Sequence, residues 1–178
     1  FNCTKRYDNM LTKSKRVKST LDKFRKFVVQ ESKNQLKKQK KSASGKLLNS
    51  ITSKLKVTES SFSLDFFMEE YGIYQDKGVS GTKKKYNTPF SYTTKRPPAS
   101  KLDKWTVKRT IAPRDEKGRF ITRKGLNFII ARSIYQKGIK PSLFFTKPFE
   151  KAFKQLPEDV VNAYALEVED FLKFSLKE

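Results

Sequence analysis

The sequence predicts an α+β fold: a small antiparallel sheet flanked by about four helices, with a long N-terminal helix and a basic loop insertion. Three observations lead there. Val17, Leu21, Phe24 and Val28 recur at spacings of four, three and four, the period of a helix with one buried stripe. Residues 54–57 and 61–68 alternate between polar and apolar, the period of a half-buried strand. Beyond residue 126 helical spacing returns, punctuated by Gly138 and Pro157, residues that stop and start helices. At 178 residues and 20.7 kDa, the chain suits one such domain. A basic arm over 1–13 precedes a single domain over 14–178, with the insertion at about 79–104.

The first helix is expected from about Ser14 to Lys40, with Phe27 and Leu36 extending its stripe. Its end, Lys37-Lys38-Gln39-Lys40-Lys41, is either a solvated last turn that complements the macrodipole or a phosphate-contacting surface. After Ser42-Ala43-Ser44-Gly45, Leu47, Leu48, Ile51 and Leu55 predict a second, short helix. Leu55 and Val57, then Phe62, Leu64, Phe66 and Met68, predict a hairpin turning near Glu59-Ser60. A Lys- and Pro-rich stretch with Lys83-Lys84-Lys85 and Pro97-Pro98 cannot build a core and predicts a long loop to about Ser100. Trp105 to Ile111 reads as extended, and 113–119 as a polar turn. Leu126, Ile129, Ile130, Ser133 and Ile134 predict a helix of about four turns ending at Gly138. Another follows, with Thr146 as its N-cap and Pro148 in its first turn. Pro157-Glu158-Asp159 opens the last helix, placing acids at its positive end, and Val160, Tyr164, Val168, Phe171 and Leu172 form its stripe.

Composition narrows function. The chain has 40 Lys and Arg against 18 Asp and Glu, a net charge of +22, and no His. Without imidazole it cannot supply a Ser-His-Asp or Cys-His centre or a His-ligated zinc site. Cys3, the single cysteine, can make neither an internal disulfide nor a thiolate cage. No uninterrupted apolar stretch exceeds that of Phe128–Ala131, far short of the roughly 20 residues of a membrane helix. A soluble protein without membrane contact is expected.

The charge is unevenly placed. Residues 1–41 hold 14 basic and 3 acidic side chains and residues 77–132 hold 16 and 3, whereas 42–76 hold 3 and 5 and 157–178 hold 2 and 6. A monomer so charged repels itself, so a polyanion or an acidic protein surface is an expected neighbour. The acidic tail of one copy against a basic block of the next would also serve.

Asp65, Glu69, Glu70 and Asp76 are the residues from which a Mg²⁺-dependent nuclease would be built, but their spacing matches no metal loop and ordinary sheet-edge and loop carboxylates account for them. The seven glycines form no phosphate-cradling GxGxxG or GxxxxGK pattern. The string from Asp76 to Thr82 looks like the D-x-G-[IV]-S-G-T of serine recombinases, yet the Tyr-x-Arg-x-Ser strand with their nucleophile is missing. Tyr86, Phe90, Tyr92 and Trp105 lie among Lys85, Lys95, Arg96 and Lys104, a mixture that either stacks bases and holds phosphates or anchors a protein interface.

The order of elements carries a resemblance. After the long helix come S-x-S-G-K-L-x-x-S-I over 42–51, the hairpin, Y-x-x-Y-x-D-x-G over 71–78, the insertion, a helix, and G-I-x-P-S-x-F-F-x-K-P-F-x-x-A-F over 138–153. Over about 15–175 this resembles bacteriophage neck proteins, the tail-completion, head–tail connector type of minor virion protein. It is closest in style to the longer versions of crAss-like and other tailed phages of Bacteroidetes-type hosts. Asp76 stands where that family tends to carry Glu, the Gly-Thr pair is split into Gly78 and Gly81-Thr82, and the insertion is longer than in a minimal member.

The resemblance implies a non-catalytic structural protein that forms a ring of six or twelve copies beneath the portal and joins head to tail. Its expected partners are identical subunits, adjacent portal, neck or tail proteins and phage DNA. Its expected location is the virion, after assembly in the host bacterial cytoplasm. No cofactor or metal is expected. Tyr71, Gly72, Tyr74, Asp76, Gly78, Phe144, Phe145, Pro148 and Phe149 are the expected subunit-interface or loop-anchor residues. Lys37, Lys38, Lys40, Lys41, Lys83, Lys84, Lys85, Lys95, Arg96, Lys108 and Arg109 are the expected contacts to DNA or an acidic partner. The alternative is a basic nucleic-acid-binding protein acting as a monomer or dimer.

Overall fold

The structure is a computed structural model that describes residues 14–40, 44–58 and 61–175. The expected arm over 1–13, Lys41 and the turn at Glu59-Ser60 lie outside them. In chain order the elements are α1 (Lys15–Lys38), α2 (Lys46–Ser50), β1 (Thr52–Val57), β2 (Phe62–Phe67), α3 (Gly72–Lys77), β3 (Val79–Ser80), a 3₁₀ turn (Ala99–Leu102), α4 (Asp103–Lys108), α5 (Arg123–Lys137), β4 (Gly138–Ile139), α6 (Thr146–Phe153) and α7 (Leu156–Ser175). Helices with antiparallel two-stranded ladders, β1–β2 and β3–β4, make this an α+β fold. The chain parts into two compact units. One comprises α1 as far as Asn34, Ile51–Met68 and the chain from Phe145 on; the other comprises Gln35–Ser50 and Glu69–Phe144.

In the first unit the α1 stripe is buried at Val17, Phe24 and Val28. The helix starts where the sequence predicts because the Ser14 hydroxyl accepts the Val17 N–H at 3.0 Å, satisfying one of the orphan donors of a first turn. Ser14 Oγ in turn donates to Glu167 of α7, whose other carboxylate oxygen accepts the Lys15 N–H at 3.0 Å. The hairpin pairs Val57 with Phe62, Leu55 with Leu64 and Ser53 with Phe66. That register puts Phe62, Leu64 and Phe66 on one face, as the alternation requires. Phe66 meets Phe24 edge-on at 6.4 Å, Phe145 at 5.4 Å and Phe149 at 5.9 Å. Each such pair adds about 0.5–1.5 kcal/mol beyond its buried area. The opposite hairpin face is mostly polar, with Lys56 bridging Asp65 at 2.7 Å and Lys54 lying 5.8 Å from the exposed Phe67 ring.

In the second unit α4 and α5 are joined by a buried polar cluster. The Thr106 hydroxyl lies 2.9 Å from the Asp103 carbonyl and 3.1 Å from Asn127 Oδ1, and Asn127 Nδ2 donates to the Asp103 carboxylate at 3.2 Å. Thr106 and Asn127 are both buried, and this pairing makes their burial tolerable. The Thr122 hydroxyl caps α5 by accepting the Gly125 N–H, a cap the sequence reading did not name, and Gly138 at φ 72° ends it as the sequence predicts.

Seven α-helices form among the described residues where about four are predicted, and four elements depart from expectation. The second helix stops at Ser50, so Leu55 belongs to β1, opposite Leu64. Residues 103–108 form α4, correcting the extended reading of Trp105 to Ile111: Asp103 sits in the first turn, Thr106 is drawn to Asn127, and Thr110 at φ 53° ends the run. Residues 72–77, where no helix is predicted, close into α3. The helix predicted to be capped by Thr146 has Phe145 at its N-cap and begins at Thr146. Among the described residues no helix is long and apolar enough to cross a membrane.

Candidate functional site

The segment 71–78 is a short helix whose far end is a tight backbone crossing. α3 ends at Gly78 with φ 76°, a left-handed conformation that favours glycine. β3 then pairs with β4, Val79 opposite Ile139 and Ser80 opposite Gly138. A Cβ on Gly81 would meet Gln136 O at 2.2 Å, and one on Gly78 would meet Ile139 O at 2.6 Å. Only glycine allows the strands to approach so closely. The Asp76 carbonyl accepts the Ser142 and Leu143 N–H groups at 3.0 and 2.9 Å, tying α3 to the turn after β4.

The insertion has no core of its own, as predicted, but it is pinned rather than free. Ser80 N–H donates to Phe90 O at 2.8 Å, and its carbonyl accepts Tyr92 N–H at 2.9 Å. The Thr82 N–H reaches Tyr135 O, those of Lys83 and Lys84 reach Gln136 O, and the Tyr135 hydroxyl donates to Thr93 O at 2.7 Å. Against this frame lies a groove of about 680 Å³ lined by Tyr71, Tyr74, Val79, Phe90, Tyr92 and Ile139 among others. Tyr74 and Phe90 meet edge-on at 4.7 Å, and burial pushes the Tyr92 phenol up from its usual value.

The expected anchor residues divide. Tyr71 and Tyr74 are exposed, whereas Gly72, Asp76 and Gly78 are buried. Phe144 is fully buried and Pro148 is buried, both within the chain itself. Phe145 and Phe149 belong to the aromatic cluster around Phe66.

Of the expected cationic contacts, Lys37, Lys38, Lys40, Lys83, Lys84, Lys85, Lys95, Arg96, Lys108 and Arg109 are all exposed. The fold brings two of these runs together. Lys40 ends α1 at φ 50°, and its carbonyl accepts Arg109 Nη2 at 2.5 Å. Lys37, Lys38 and Lys40 thus adjoin Lys108 and Arg109. Two others sit on rings: Lys84 Nζ is 5.5 Å from the Tyr86 centroid and Arg96 is 4.7 Å from that of Phe128.

The acidic residues are otherwise engaged. Asp65 is held below the usual carboxylate value, first by Lys56 and then by Ser63. Glu69 pairs with Lys46 at 2.9 Å and raises that ammonium group's pKa. Among the described residues no three of His, Cys, Asp and Glu gather where they could hold a metal ion.

Large apolar side chains stand exposed along two helices: Phe128 and Ile129 on α5, and Val161, Leu166 and Leu172 on α7. Of the stripe expected on α7, Val160, Tyr164 and Val168 are half-buried and Leu172 is exposed, and among the described residues Ala163 is the one fully buried on that helix. The close approach of Gly81 to Gly138 and the exposed ring of Phe120 also escaped notice. Gly138 signals a helix stop in sequence, and nothing local announces its strand partner. No protein-family model, curated protein or solved structure matches this chain.

Proposed function

We propose that the chain is a structural virion protein that assembles as an oligomeric ring in a phage neck or tail, connecting the portal-bearing head to the tail and lining or surrounding the DNA exit path. It works without catalysis, in six or twelve copies, beside portal, neck or tail proteins, and is assembled in the host bacterial cytoplasm before it enters the virion. The observation that carries this reading is α7. Val161 is 64% and Leu172 53% exposed on a helix that also displays Glu158 and Asp159, while its Glu169 and Asp170 pair with Lys173 and Arg16 of the same chain. Such a helix is half-finished by its own chain, and an apolar, acidic surface is completed by a basic neighbour. The excess of cations over 77–132 supplies that neighbour when the next copy is identical, and a heterologous contact that closes makes a ring. The motifs over 42–51, 71–78 and 138–153 support the same reading.

Light scattering of the purified protein across low and high salt, followed by electron microscopy of any large species, tests it. Rings of six or twelve subunits are expected; a salt-stable monomer, absent from virions, overturns it. The second reading, a basic nucleic-acid binder acting as a monomer or dimer, is favoured by the Arg109–Lys40 junction, which brings two exposed basic runs together. It predicts a small species whose log affinity for DNA falls linearly with log salt.

A further inference from the structure

The polar turn between α4 and α5 is a rigid, exposed hairpin. Asp115 N–H donates to Arg119 O at 2.8 Å, Gly118 N–H to Asp115 O at 2.9 Å and Ile121 N–H to Pro113 O at 3.1 Å. The Asp115 carboxylate accepts the Lys117 and Arg119 N–H groups at 3.0 and 2.8 Å, and pairs with the Arg119 side chain at 3.1 Å. Gly118 at φ 77° turns the tip, with open space around it. Arg114 Nη1 donates to Gly118 O at 2.7 Å, which lays the guanidinium 3.9 Å from the Phe120 ring centroid. Phe120 is nonetheless 64% exposed.

This is an unusual use of a large apolar residue. The hairpin does not bury the ring; it fixes it beside a cation and leaves much of it in water. Over 113–124 the chain carries Arg114, Lys117, Arg119, Arg123 and Lys124 against Asp115 and Glu116, and Asp115 is consumed within the turn. An open ring face beside several cations matches an unpaired base with its flanking phosphates, because every base offers a π-face and every phosphate a charge. Bases inside a duplex have both faces covered by neighbours, and an acidic peptide would use the cations but not the ring. The turn is already ordered, so little conformational freedom is lost on binding.

We infer that the 113–121 hairpin is a binding site for single-stranded nucleic acid, with Phe120 stacking on a base and Lys117 contacting phosphate. The site stands apart from the ring reading, since it lies within one subunit.

The test is fluorescence anisotropy of the full chain with a labelled oligothymidylate and with a duplex of equal length, titrated with salt. Phe120→Ala is expected to weaken single-strand binding about 5- to 150-fold while leaving the salt slope unchanged, and Phe120→Trp to preserve it. Lys117→Gln is expected to flatten the slope by about 0.7. Equal affinity of Phe120→Ala and the parent for the single strand overturns the inference, as does a parent that binds neither probe, or an equal loss on the duplex. Repeating the titration with Val161→Asp, which targets the ring contact, separates the two readings: single-strand binding should survive there even if no ring forms in any variant.

Discussion

Gly138 lies backbone against backbone with Val79: a Cβ on Gly138 would stand 2.1 Å from the Val79 carbonyl oxygen. With φ at 72°, Gly138 also occupies a conformation that other residues resist. Overpacking and backbone strain therefore act together at this position. Gly138→Ala should destabilise the protein by about 2–4 kcal/mol. At Gly118 the same positive φ meets open space, so Gly118→Ala should cost only about 1 kcal/mol. Urea unfolding of the two variants checks the difference, and equal losses would mean that the β3–β4 crossing tolerates a side chain.

Phe24 is buried against Phe66 and Phe149, with centroids at 6.4 and 5.7 Å. Phe24→Ala removes both ring contacts and leaves a cavity, for an expected loss of about 3–5 kcal/mol. Phe120→Ala deletes an exposed ring and should stay within about 0.5 kcal/mol of the parent. Thermal unfolding followed by circular dichroism distinguishes the two.

Ser14 joins the start of α1 to the middle of α7 through one hydroxyl, accepting Val17 N–H and donating to Glu167. Ser14→Ala should cost about 0.5–2 kcal/mol, and Ser14→Asp should keep the cap while placing a second carboxylate beside Glu167. Ser14→Asp is therefore expected to recover less than the full loss, and to come closer to the parent at high salt, which screens the repulsion. Urea midpoints at low and high salt read this out.

Asp22 and Asp65 are held below the usual carboxylate value of 3.8, the first by Lys26 and then Arg25, the second by Lys56 and then Ser63. A folded-state pKa below the unfolded one favours the ionised form in the fold. Its stabilisation is complete above the unfolded value and disappears as pH falls through the folded one. Asp65→Asn should therefore lower stability slightly at neutral pH and lose less than the parent between about pH 5 and about pH 2. High salt should shrink the difference, since both partners are near water.

Val161 and Leu172 should matter for assembly and not for folding. Val161→Asp combined with Leu172→Asp is expected to convert any large species to single subunits, with an unfolding midpoint close to that of the parent, because both side chains are exposed in the single chain. Light scattering and calorimetry on one preparation measure both. A large species that persists would move the subunit contact away from α7.

The major helices and the β1–β2 hairpin were legible because their signals are local. The stripe of α1 repeats within one element, the hairpin alternates over adjacent residues, and Gly138 marks the end of α5 where a stop must stand. Helices and hairpins answer to periodicities that a neighbour a few residues away completes. The charge blocks and the missing histidine were likewise plain, since counting does not depend on the fold.

What needed three dimensions were the pairings between distant segments. Nothing near Trp105 says that Thr106 will face Asn127 and hold its own segment in a helix. Nothing near Lys40 points to Arg109. Phe144 and Phe145 are neighbours in one motif, yet Phe144 is fully buried while Phe145 joins the half-buried ring cluster around Phe66. Gly78, Gly81 and Gly138 read as turn residues one at a time, and become a crossing only when β3 meets β4. Side-chain burial and close backbone approach are properties of pairs of segments. Their sequence separation leaves no periodic trace, so composition and spacing name the participants without saying which of them meet.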